Sequence, residues 1–250
     1  MESDVETKKE LDFVESLFEG YTKSDDSPFM RYQRNMDMKK ALEYMDPDGV
    51  AMELGCEVGY MSSLISPHVK SLDIVEGSPS FIEEAKKLKL ENVVFHNMLF
   101  EQIDKENCYD YIFASHIVEH LIDPVDTLKI MYRALKPGGR IFIFVPNAAA
   151  ASRQLAVKMG LYESIYDLTP GDLRVGHRRV YDQKSISKDV ESAGFNLSAI
   201  EGLFFKPFAD FQIDDLIKQN FLSELHLDSL VELGKDYSEL CGYIFVCGEK

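Results

Sequence analysis

The chain has 250 residues, a formal net charge of −16, and a composition that is 45% hydrophobic and 28% charged. These values are ordinary for a globular protein with a packed core. The acidic balance argues against a polynucleotide substrate, because proteins that grip a phosphate backbone usually carry a basic face.

The chain starts with two predicted helices and continues as an alternation of strands and helices. The first two helices, at about 5–19 and 30–45, could cover the open edge of a ligand cleft. From residue 50, short apolar runs alternate with amphipathic segments, which indicates a parallel sheet covered by helices. The predicted strands lie at 50–55, 71–77, 92–98, 109–115 and 140–147. The helices between them lie at 59–66, 79–88 and 124–135, and KPGG (136–139) ends the last one.

The second half of the chain is less regular. A helix near 150–159 precedes an irregular stretch through GHRRVY (176–181), and a helix near 185–193 follows. Two helical stretches near 210–234 and a final strand at 242–248 complete the prediction. Without an internal repeat or linker, we expect one domain over 1–250. Its parts are a helical cap (1–48), a cofactor-binding core (49–147) and an acceptor-side half (148–250).

Neither a membrane span nor an export signal is expected. The longest apolar run, Ile141–Val145, is far too short to cross a bilayer. The first ten residues are charged and lack the apolar core of a signal peptide. We therefore expect a cytoplasmic protein.

The first strand runs into ELGCEVGY (53–60), which indicates a ligand-binding turn. Glycines at 55 and 59 would let the backbone approach a ligand. A dinucleotide fingerprint needs another glycine two positions after Gly55, but Glu57 stands there and would face the phosphates. The second strand ends at Glu76, 21 residues after Gly55, a spacing typical of an acid that binds a ribose diol. Acidic turns without a phosphate cradle favour a cationic nucleoside such as S-adenosylmethionine.

Several segments together resemble the class I S-adenosylmethionine-dependent methyltransferases. They are ELGCEVGY, VEGS, FHNM, the EH after the fourth strand, LKPGGRIFIFVPN and GHRRVY. The resemblance covers 50–147, and the box at 176–181 adds to it. It implies an α/β fold with a Rossmann-like, mostly parallel sheet of seven strands and helices on both faces. The last strand would be antiparallel and inserted beside the fifth, a position that 242–248 could fill.

The same resemblance assigns the cofactor-binding residues. Glu53, Gly55 and Gly59 would form the loop on the methionine side, and Glu76 would hold the ribose hydroxyls. Glu57 departs from the family, which often has glycine at that position.

The adenine side is assigned in the same way. Asn97 stands where the family usually has an acid near the adenine amino group, and Met98 would pack on the ring. Gly77 and Ser115 complete the expected cofactor-binding set.

The segment after the fourth strand, HIVEH (116–120), matches a zinc-peptidase pattern, H-x-x-E-H. That pattern needs the middle of a long helix. Here a strand runs directly into His116, and Asp123-Pro124 leaves room for about one helical turn. We therefore interpret HIVEH as a loop at the mouth of the cleft, where a transferable methyl group would point.

Three functions of this loop stay open. Glu119 and His120 could shape the loop through backbone hydrogen bonds alone. His116 or His120 could take the proton of a hydroxyl nucleophile. Glu119, His120 and His177 could instead bind a divalent ion such as Mg²⁺ or Mn²⁺, which would activate that hydroxyl. The last arrangement resembles the metal-dependent small-RNA 2′-O-methyltransferases, with His116 replacing the first acid of E-x-x-E-H.

Half of the eight arginines fall between positions 153 and 179. Guanidinium groups suit a bidentate grip on phosphate or carboxylate. We therefore predict that Arg153, Arg178, Arg179 and Tyr181 bind a small anionic acceptor, such as a nucleotide-linked sugar or a phosphorylated metabolite. The alternative is a surface loop that forms salt bridges within an acidic protein.

These observations predict methyl transfer from S-adenosylmethionine to a hydroxyl, or less readily an amine, of that acceptor. By resemblance, members with VPN and GHRRVY often act on sugars, polysaccharide precursors or secondary metabolites, so polysaccharide or natural-product biosynthesis is the expected context. One alternative is a metal-dependent 2′-O-methyltransferase acting on a nucleic-acid end. Another is a cofactor-binding regulatory or partner protein without catalysis. The expected partner is the small acceptor, without membrane or nucleic acid, and a homodimer is possible.

Overall fold

A single sheet organises the structure. The computed structural model describes residues 2–18 and 27–250. The strands are β1 (Val50–Leu54), β2 (Ser71–Glu76), β3 (Val93–Asn97), β4 (Tyr109–Ser115), β5 (Leu135–Pro146), β6 (Asn196–Phe205) and β7 (Cys241–Glu249). Within the described ranges they form one seven-stranded sheet in the order β3-β2-β1-β4-β5-β7-β6. β7 runs antiparallel to both of its neighbours, β5 and β6, as the resemblance implied.

Helices cover this sheet. They are α1 (Glu2–Ser16), α2 (Pro28–Leu42), α3 (Tyr60–Ile65), α4 (Pro79–Lys86), α5 (Pro124–Ala134), α6 (Ala151–Lys158), α7 (Pro170–Arg174), α8 (Gln183–Ser192), α9 (Asp210–Lys218) and α10 (Glu224–Asp236). Four of them share one start signal, in which a polar N-cap precedes proline. Each N-cap side chain accepts a hydrogen bond from the backbone N–H three residues on, and the N-caps are Ser27, Ser78, Asp123 and Thr169. The proline at the first helical position needs no hydrogen-bond partner of its own.

Both faces of the central strands are buried, which explains their near-continuous apolar sequences. Phe142 and Phe144 of β5 pack in one core layer, which includes residues of α2 and α3. Ile141 and Ile143 of the same strand point to the other layer, which includes residues of α5 and α8. The alternation follows from the two-residue period of a strand.

The strand order reverses between β1 and β4. In open parallel sheets, ligands bind beyond the carboxyl ends of the strands at such a point. The turn after β1 carries Gly55, and the loop after β4 carries HIVEH. The topology therefore brings the two predicted functional segments together.

The structure confirms every predicted strand and helix to within a few residues, but it adds a strand and a short α-helix. β6 was not predicted because it is an edge strand, paired only with β7, and most of its residues are half-buried or exposed. The short helix α7 was also missed. β5 begins at Leu135, so KPGG lies inside the irregular start of that strand. Residues 1 and 19–26 of the predicted cap lie outside the described residues. None of the described helices is long and apolar enough to cross a membrane.

Candidate active site

The turn after β1 depends on left-handed backbone conformations. Gly55 has φ +68° and Gly59 has φ +89°. A Cβ on Gly55 would lie 2.5 Å from Cδ1 of Ile117 in the loop after β4, so a side chain here would displace that isoleucine. Glu57 also has a positive φ, +47°, at the position where the family often has glycine. Glu57 therefore adopts a left-handed backbone conformation that is strained for a residue with a side chain.

Glu53, the acid that precedes this turn, is buried and only partly paired. Ser62 Oγ donates a hydrogen bond to its Oε2 at 2.5 Å, whereas Oε1 has no partner among the described residues. Burial raises the pKa of Glu53 to about 8. A bound cationic ligand nearby would favour the ionised form.

Glu76 ends β2, and the backbone holds its carboxylate. Oε2 accepts a hydrogen bond from the N–H of Cys56 at 3.1 Å, and Oε1 accepts one from the N–H of Ser78 at 2.8 Å. Burial nevertheless raises the pKa of Glu76 above its usual value. Each carboxylate oxygen has a second lone pair, so Glu76 can still accept hydrogen bonds from ribose hydroxyls.

Asn97 braces the turn that follows Glu76. Its Nδ2 donates to the carbonyl oxygens of Glu76 and Gly77, both at 3.0 Å. Gly77 and Met98 line the cleft described next, whereas Asn97 and Ser115 are not among the described residues that line it. The adenine contact of Asn97 and the cofactor contact of Ser115 stay predictions.

A cleft lies between this turn and the loop after β4, and its empty space of about 790 Å³ includes open solvent. Glu53 and Gly59 are not among the described residues that line it. The cofactor-side lining includes Gly55, Glu57, Glu76, Gly77 and Met98. The loop after β4 contributes His116, Ile117, His120, Leu121 and Ile122. The N-terminal segment contributes Glu10, Phe13 and Val14 from α1 and the adjoining Leu17. Helix α1 therefore forms one wall of the cleft.

The HIVEH segment forms no long helix. Val118–His120 is a single 3₁₀ turn between β4 and α5. The zinc-peptidase interpretation, which requires the motif within one long helix, therefore finds no support. His116 itself has φ +56°, and its backbone N–H donates to the carbonyl of Phe144 on β5 at 2.8 Å.

His116 is a largely buried side chain that contacts α2. Its Nε2 lies 3.0 Å from Asp37 Oδ2 and 3.0 Å from Gln33 Nε2. Burial lowers the pKa of His116 well below its ordinary value and raises the pKa of Asp37 to about 7. Because Nε2 faces α2, Nδ1 is the nitrogen closer to Glu119, at 4.0 Å from Oε1. A catalytic role for His116 stays a prediction.

Glu119, His120 and His177 come together as the sequence suggested. Each offers one ligand atom, and the three atoms lie within 4.8 Å of one another. Glu119 is fully buried, and neither of its carboxylate oxygens has a hydrogen-bond partner among the described residues. Its Oε1 lies 3.9 Å from Nε2 of His177, and the rings of His120 and His177 meet edge to face at 4.7 Å between centroids. Burial raises the pKa of Glu119 to about 7 and lowers that of His120 to about 3.

The two arginines of GHRRVY donate hydrogen bonds to carbonyl and carboxylate groups of the chain itself. Arg178 Nε donates to the carbonyl of His120 at 2.8 Å, and its Nη2 donates to both carboxylate oxygens of Glu10 at 2.8 and 2.9 Å. Arg179 donates to the carbonyls of Leu121 and Ile122 at 2.6 and 3.1 Å. Both side chains therefore hold the loop that carries His120.

The other two predicted acceptor-binding residues are also engaged internally. Arg153 Nη2 donates to Asp172 Oδ2 at 2.5 Å, and the buried Tyr181 donates its hydroxyl hydrogen bond to Asp189 at 3.0 Å. These contacts agree with the alternative interpretation, in which the arginines form salt bridges within the protein. They give no support to a binding site for an anionic acceptor. The acceptor contacts of all four residues stay predictions.

Three acids that we did not single out in the sequence reach this site. Asp37 contacts His116, Glu10 pairs with Arg178, and Asp172 Oδ1 lies 3.3 Å from His177 Nδ1. Burial opposes ionisation of Asp172, but contacts with His177, the Thr169 N–H and Arg153 hold its pKa below the usual range. No local motif marks these acids, since each lies on a helix rather than beside a cofactor-binding strand end.

Comparison with known proteins agrees with this architecture. A family model described as "Methyltransferase domain" matches residues 30–200. The mouse protein "Ubiquinone biosynthesis O-methyltransferase, mitochondrial" is 28% identical over 114 residues, which cover 45% of this chain and 30% of that protein. A bacterial protein of the same activity name, from Xanthomonas axonopodis pv. citri, is 22% identical over 177 residues, 67% of this chain and 73% of that protein. The match thus spans less than a third of the mouse relative's length.

Solved structures share the fold at low sequence identity. One from Thermotoga maritima, titled a SAM-dependent methyltransferase and possible histamine N-methyltransferase, has a TM-score of 0.64 at 19% identity, covering 94% of this chain and 99% of that chain. The N-methyltransferase NodS from Bradyrhizobium japonicum, solved with S-adenosyl-L-homocysteine, has a TM-score of 0.58 at 13% identity, covering 91% and 90%. Because the family model spans more than half of the chain and the strand order agrees with the motifs, this chain belongs to the class I S-adenosylmethionine-dependent methyltransferases.

Proposed function

We propose that this enzyme transfers a methyl group from S-adenosylmethionine to a hydroxyl oxygen of a small acceptor with an apolar body. One observation carries the proposal: a single cleft contains Glu76 at one end and adjoins the cluster of Glu119, His120 and His177 at the other. Glu76 suits the ribose of the cofactor, and the cluster supplies the proton-accepting groups that a hydroxyl nucleophile needs.

The residues around the turn after β1 fit the cofactor. Gly55 lines the cleft without a side chain, Glu76 keeps lone pairs for two hydroxyls, and Glu53 has a carboxylate oxygen without a partner among the described residues. When bound, S-adenosylmethionine supplies a methyl group on a positively charged sulfur. The acidic side chains would bind this cation and orient it toward the loop after β4.

Proton removal favours oxygen as the methyl acceptor. A hydroxyl loses its proton when a methyl group is transferred to its oxygen, so a base near the cleft accelerates the step. His120 lines the cleft, with Glu119 and His177 beside it. The curated relatives, named as O-methyltransferases, also support oxygen over nitrogen.

The lining of the cleft supports an apolar acceptor. Ile117, Leu121 and Ile122 lie on the acceptor side, and Phe13 of α1 also contributes. Arg178 and Arg179, from which we predicted an anionic acceptor, donate to the chain's own groups instead. A substituted phenol therefore suits the site better than a nucleotide-linked sugar does. The names of the relatives, which refer to ubiquinone biosynthesis, favour this class over polysaccharide precursors.

A divalent ion is a second candidate for activating the hydroxyl. The observation that favours it is the buried Glu119, whose oxygens both lack a hydrogen-bond partner among the described residues while two imidazoles face it. Buried charges are normally paired or bind metals. Glu119, His120 and His177 would hold the ion, and the ion would lower the pKa of a bound hydroxyl. No comparable observation favours a nucleic-acid end or a regulatory protein without catalysis.

Calorimetry followed by a methyl-transfer screen tests this proposal. We expect the protein to bind S-adenosylmethionine and to methylate substituted phenols in preference to nucleotide sugars and phosphorylated metabolites. Loss of turnover with EDTA, restored by Mg²⁺ or Mn²⁺, would support the ion, and full turnover in EDTA would eliminate it. Absence of cofactor binding, or turnover only on phosphorylated acceptors, would overturn the proposal.

A matched pair of variants links turnover to the cluster. Glu119→Gln should bind the cofactor yet lose about 100-fold or more in kcat, since an acid–base group contributes about 10²–10⁴-fold. Glu101→Gln removes an exposed acid from the same cleft and should keep its turnover. Equal activity of the two variants would remove Glu119 from the mechanism.

A further inference from the structure

His177 has an acidic group on each side of its ring. On one side, Nδ1 lies 3.3 Å from Oδ1 of Asp172, and the backbone N–H of His177 donates to the carbonyl of the same residue at 2.9 Å. On the other side, Nε2 lies 3.9 Å from Oε1 of Glu119. The Nδ1 contact does not meet hydrogen-bond geometry, and such contacts in active sites often tighten only when ligands bind.

Asp172 is itself fixed from the side opposite His177. Its Oδ2 accepts hydrogen bonds from Arg153 Nη2 at 2.5 Å and from the backbone N–H of Thr169 at 2.8 Å. Thr169 Oγ1 accepts in return from the backbone N–H of Asp172 at 3.0 Å, which closes a capping box at the start of α7. Arg153 is anchored through Nη1 to the carbonyls of Ile165 and Asp167. The carboxylate therefore cannot turn away from the imidazole without breaking several contacts.

A neutral imidazole carries a hydrogen on only one of its two ring nitrogens. The hydrogen-bond partner of either nitrogen determines which of the two carries it. Asp172 can only accept at Oδ1, so it favours the proton on Nδ1 of His177. Nε2 then presents its lone pair toward Glu119 and His120. That lone pair can accept a substrate proton or bind a metal ion, so this argument holds for either form of the proposed reaction.

We propose that Asp172, held by Arg153, is a positioning residue that keeps His177 in the Nδ1–H tautomer with Nε2 directed at the reaction site. The effect on turnover rests on the proposed methyl transfer, but the tautomer does not. This assignment also explains why an arginine and a short helix that do not line the cleft pack against the loop that carries His177.

Asp172→Asn tests the tautomer directly. Its amide oxygen must accept from Arg153 and Thr169, so its NH₂ group turns toward Nδ1 of His177. The imidazole must then accept at Nδ1 and carry its proton on Nε2. Asp167→Asn is the matched control, because Asp167 accepts from two backbone N–H groups of the same loop, at Glu163 and Ser164, through its side chain.

Nitrogen-15 NMR of the histidine rings identifies the tautomer and does not depend on catalytic turnover. The His177 signals are assigned by their loss in His177→Gln. We expect Nδ1–H in the wild type and in Asp167→Asn, and Nε2–H in Asp172→Asn. An Nε2–H tautomer in the wild type would overturn the proposal even if Asp172→Asn fails to fold. Failure of methyl transfer alone would count against the proposed function and leave this measurement intact.

Kinetics separate positioning from general stability. We expect Asp172→Asn to lower kcat by about 10- to 100-fold, the usual effect of a residue that supports a functional ligand, with little change in cofactor KM. Asp172→Glu, which keeps the carboxylate, should recover part of the loss. Equal losses of kcat in Asp172→Asn and Asp167→Asn would assign Asp172 a merely structural role and overturn the proposal.

Discussion

Arg178 donates hydrogen bonds to both carboxylate oxygens of Glu10, and this ion pair ties helix α1 to the loop that carries His177. The guanidinium also lies 5.1 Å from the ring centroid of Phe13, one turn further along α1. Near the end of α1, Glu15 accepts hydrogen bonds from the hydroxyls of Ser78 and Ser80, beside the turn that follows β2. Helix α1 therefore spans the cleft from the cofactor side to the GHRRVY loop.

Glu10→Ala should make cofactor release faster by a few-fold, because it loosens one end of this helical wall. The unfolding free energy should change by less than about 1 kcal/mol, as is usual for partly exposed ion pairs. Stopped-flow displacement of bound cofactor and hydrogen exchange of α1 measure the two effects. Asp12→Ala removes an exposed acid from the same helix and should leave both unchanged. Unaltered release in Glu10→Ala would refute the role of the ion pair in covering the cleft.

Gly55→Ala should weaken cofactor binding and destabilise the fold. The new Cβ would lie 2.5 Å from Cδ1 of Ile117, and the backbone has φ +68°, which costs an L-residue about 1–2 kcal/mol. Gly138→Ala is the matched control, since Gly138 has φ +76° but no atom within 4 Å of an added Cβ. We expect the control to lose stability by a similar backbone contribution while its cofactor affinity, measured by calorimetry, stays at the wild-type value. Equal affinities in the two variants would contradict the assignment of the turn.

The cofactor half of the fold could be predicted from sequence because its signals are local. Strands β1, β2, β4 and β5 are buried on both faces, so each appears as an apolar run that ends at a glycine or polar residue. The motif at Glu53–Tyr60 marks a turn whose φ values require glycine at Gly55 and Gly59. Such constraints involve only a few adjacent residues, so they can be recognised in a single sequence.

The acceptor half was harder to predict because its contacts are between distant segments. The arginines of GHRRVY were plausible anion ligands in isolation, but the carbonyl oxygens that bind them leave no mark on the sequence. Asp37 and Asp172 were overlooked because an acid on a helix is ordinarily solvent-exposed. The meeting of Glu119, His120 and His177 was predictable because the Glu-His pair and GHRRVY follow neighbouring strands of the predicted sheet, and the resemblance agreed with that set.

Arg179→Ala should reduce turnover for neutral and phosphorylated acceptors alike. Its guanidinium holds the carbonyls of Leu121 and Ile122, so its loss would loosen the loop rather than remove an anion-binding group. The kcat/KM ratio between a phenol and its phosphorylated analogue should therefore stay constant within a factor of about two. Arg174→Ala, which removes an exposed arginine near the same loop, should leave turnover unchanged. A selective loss with the phosphorylated analogue would restore the anionic-acceptor hypothesis.

The protein without cofactor should lose stability as the pH rises, because of Glu53. Burial raises the pKa of this carboxyl from 4.5 to about 8 in the folded state, so the folded protein holds a proton that the unfolded chain releases. The associated stabilisation is fully present below pH 4.5 and is lost progressively as the pH rises to about 8. Its size is on the order of 3–5 kcal/mol, at about 1.4 kcal/mol for each unit of pKa difference.

Glu53→Gln removes this dependence, because an amide stays neutral at every pH. Urea denaturation at pH 5 and pH 9 should give a smaller difference in unfolding free energy for the variant than for the wild type. Glu106→Gln, which removes an exposed acid, should keep the wild-type difference. If Glu53→Gln and Glu106→Gln retain the same pH dependence, the carboxyl of Glu53 is already ionised in the folded state at pH 5. The unpaired oxygen would then have a cationic partner even before the cofactor binds.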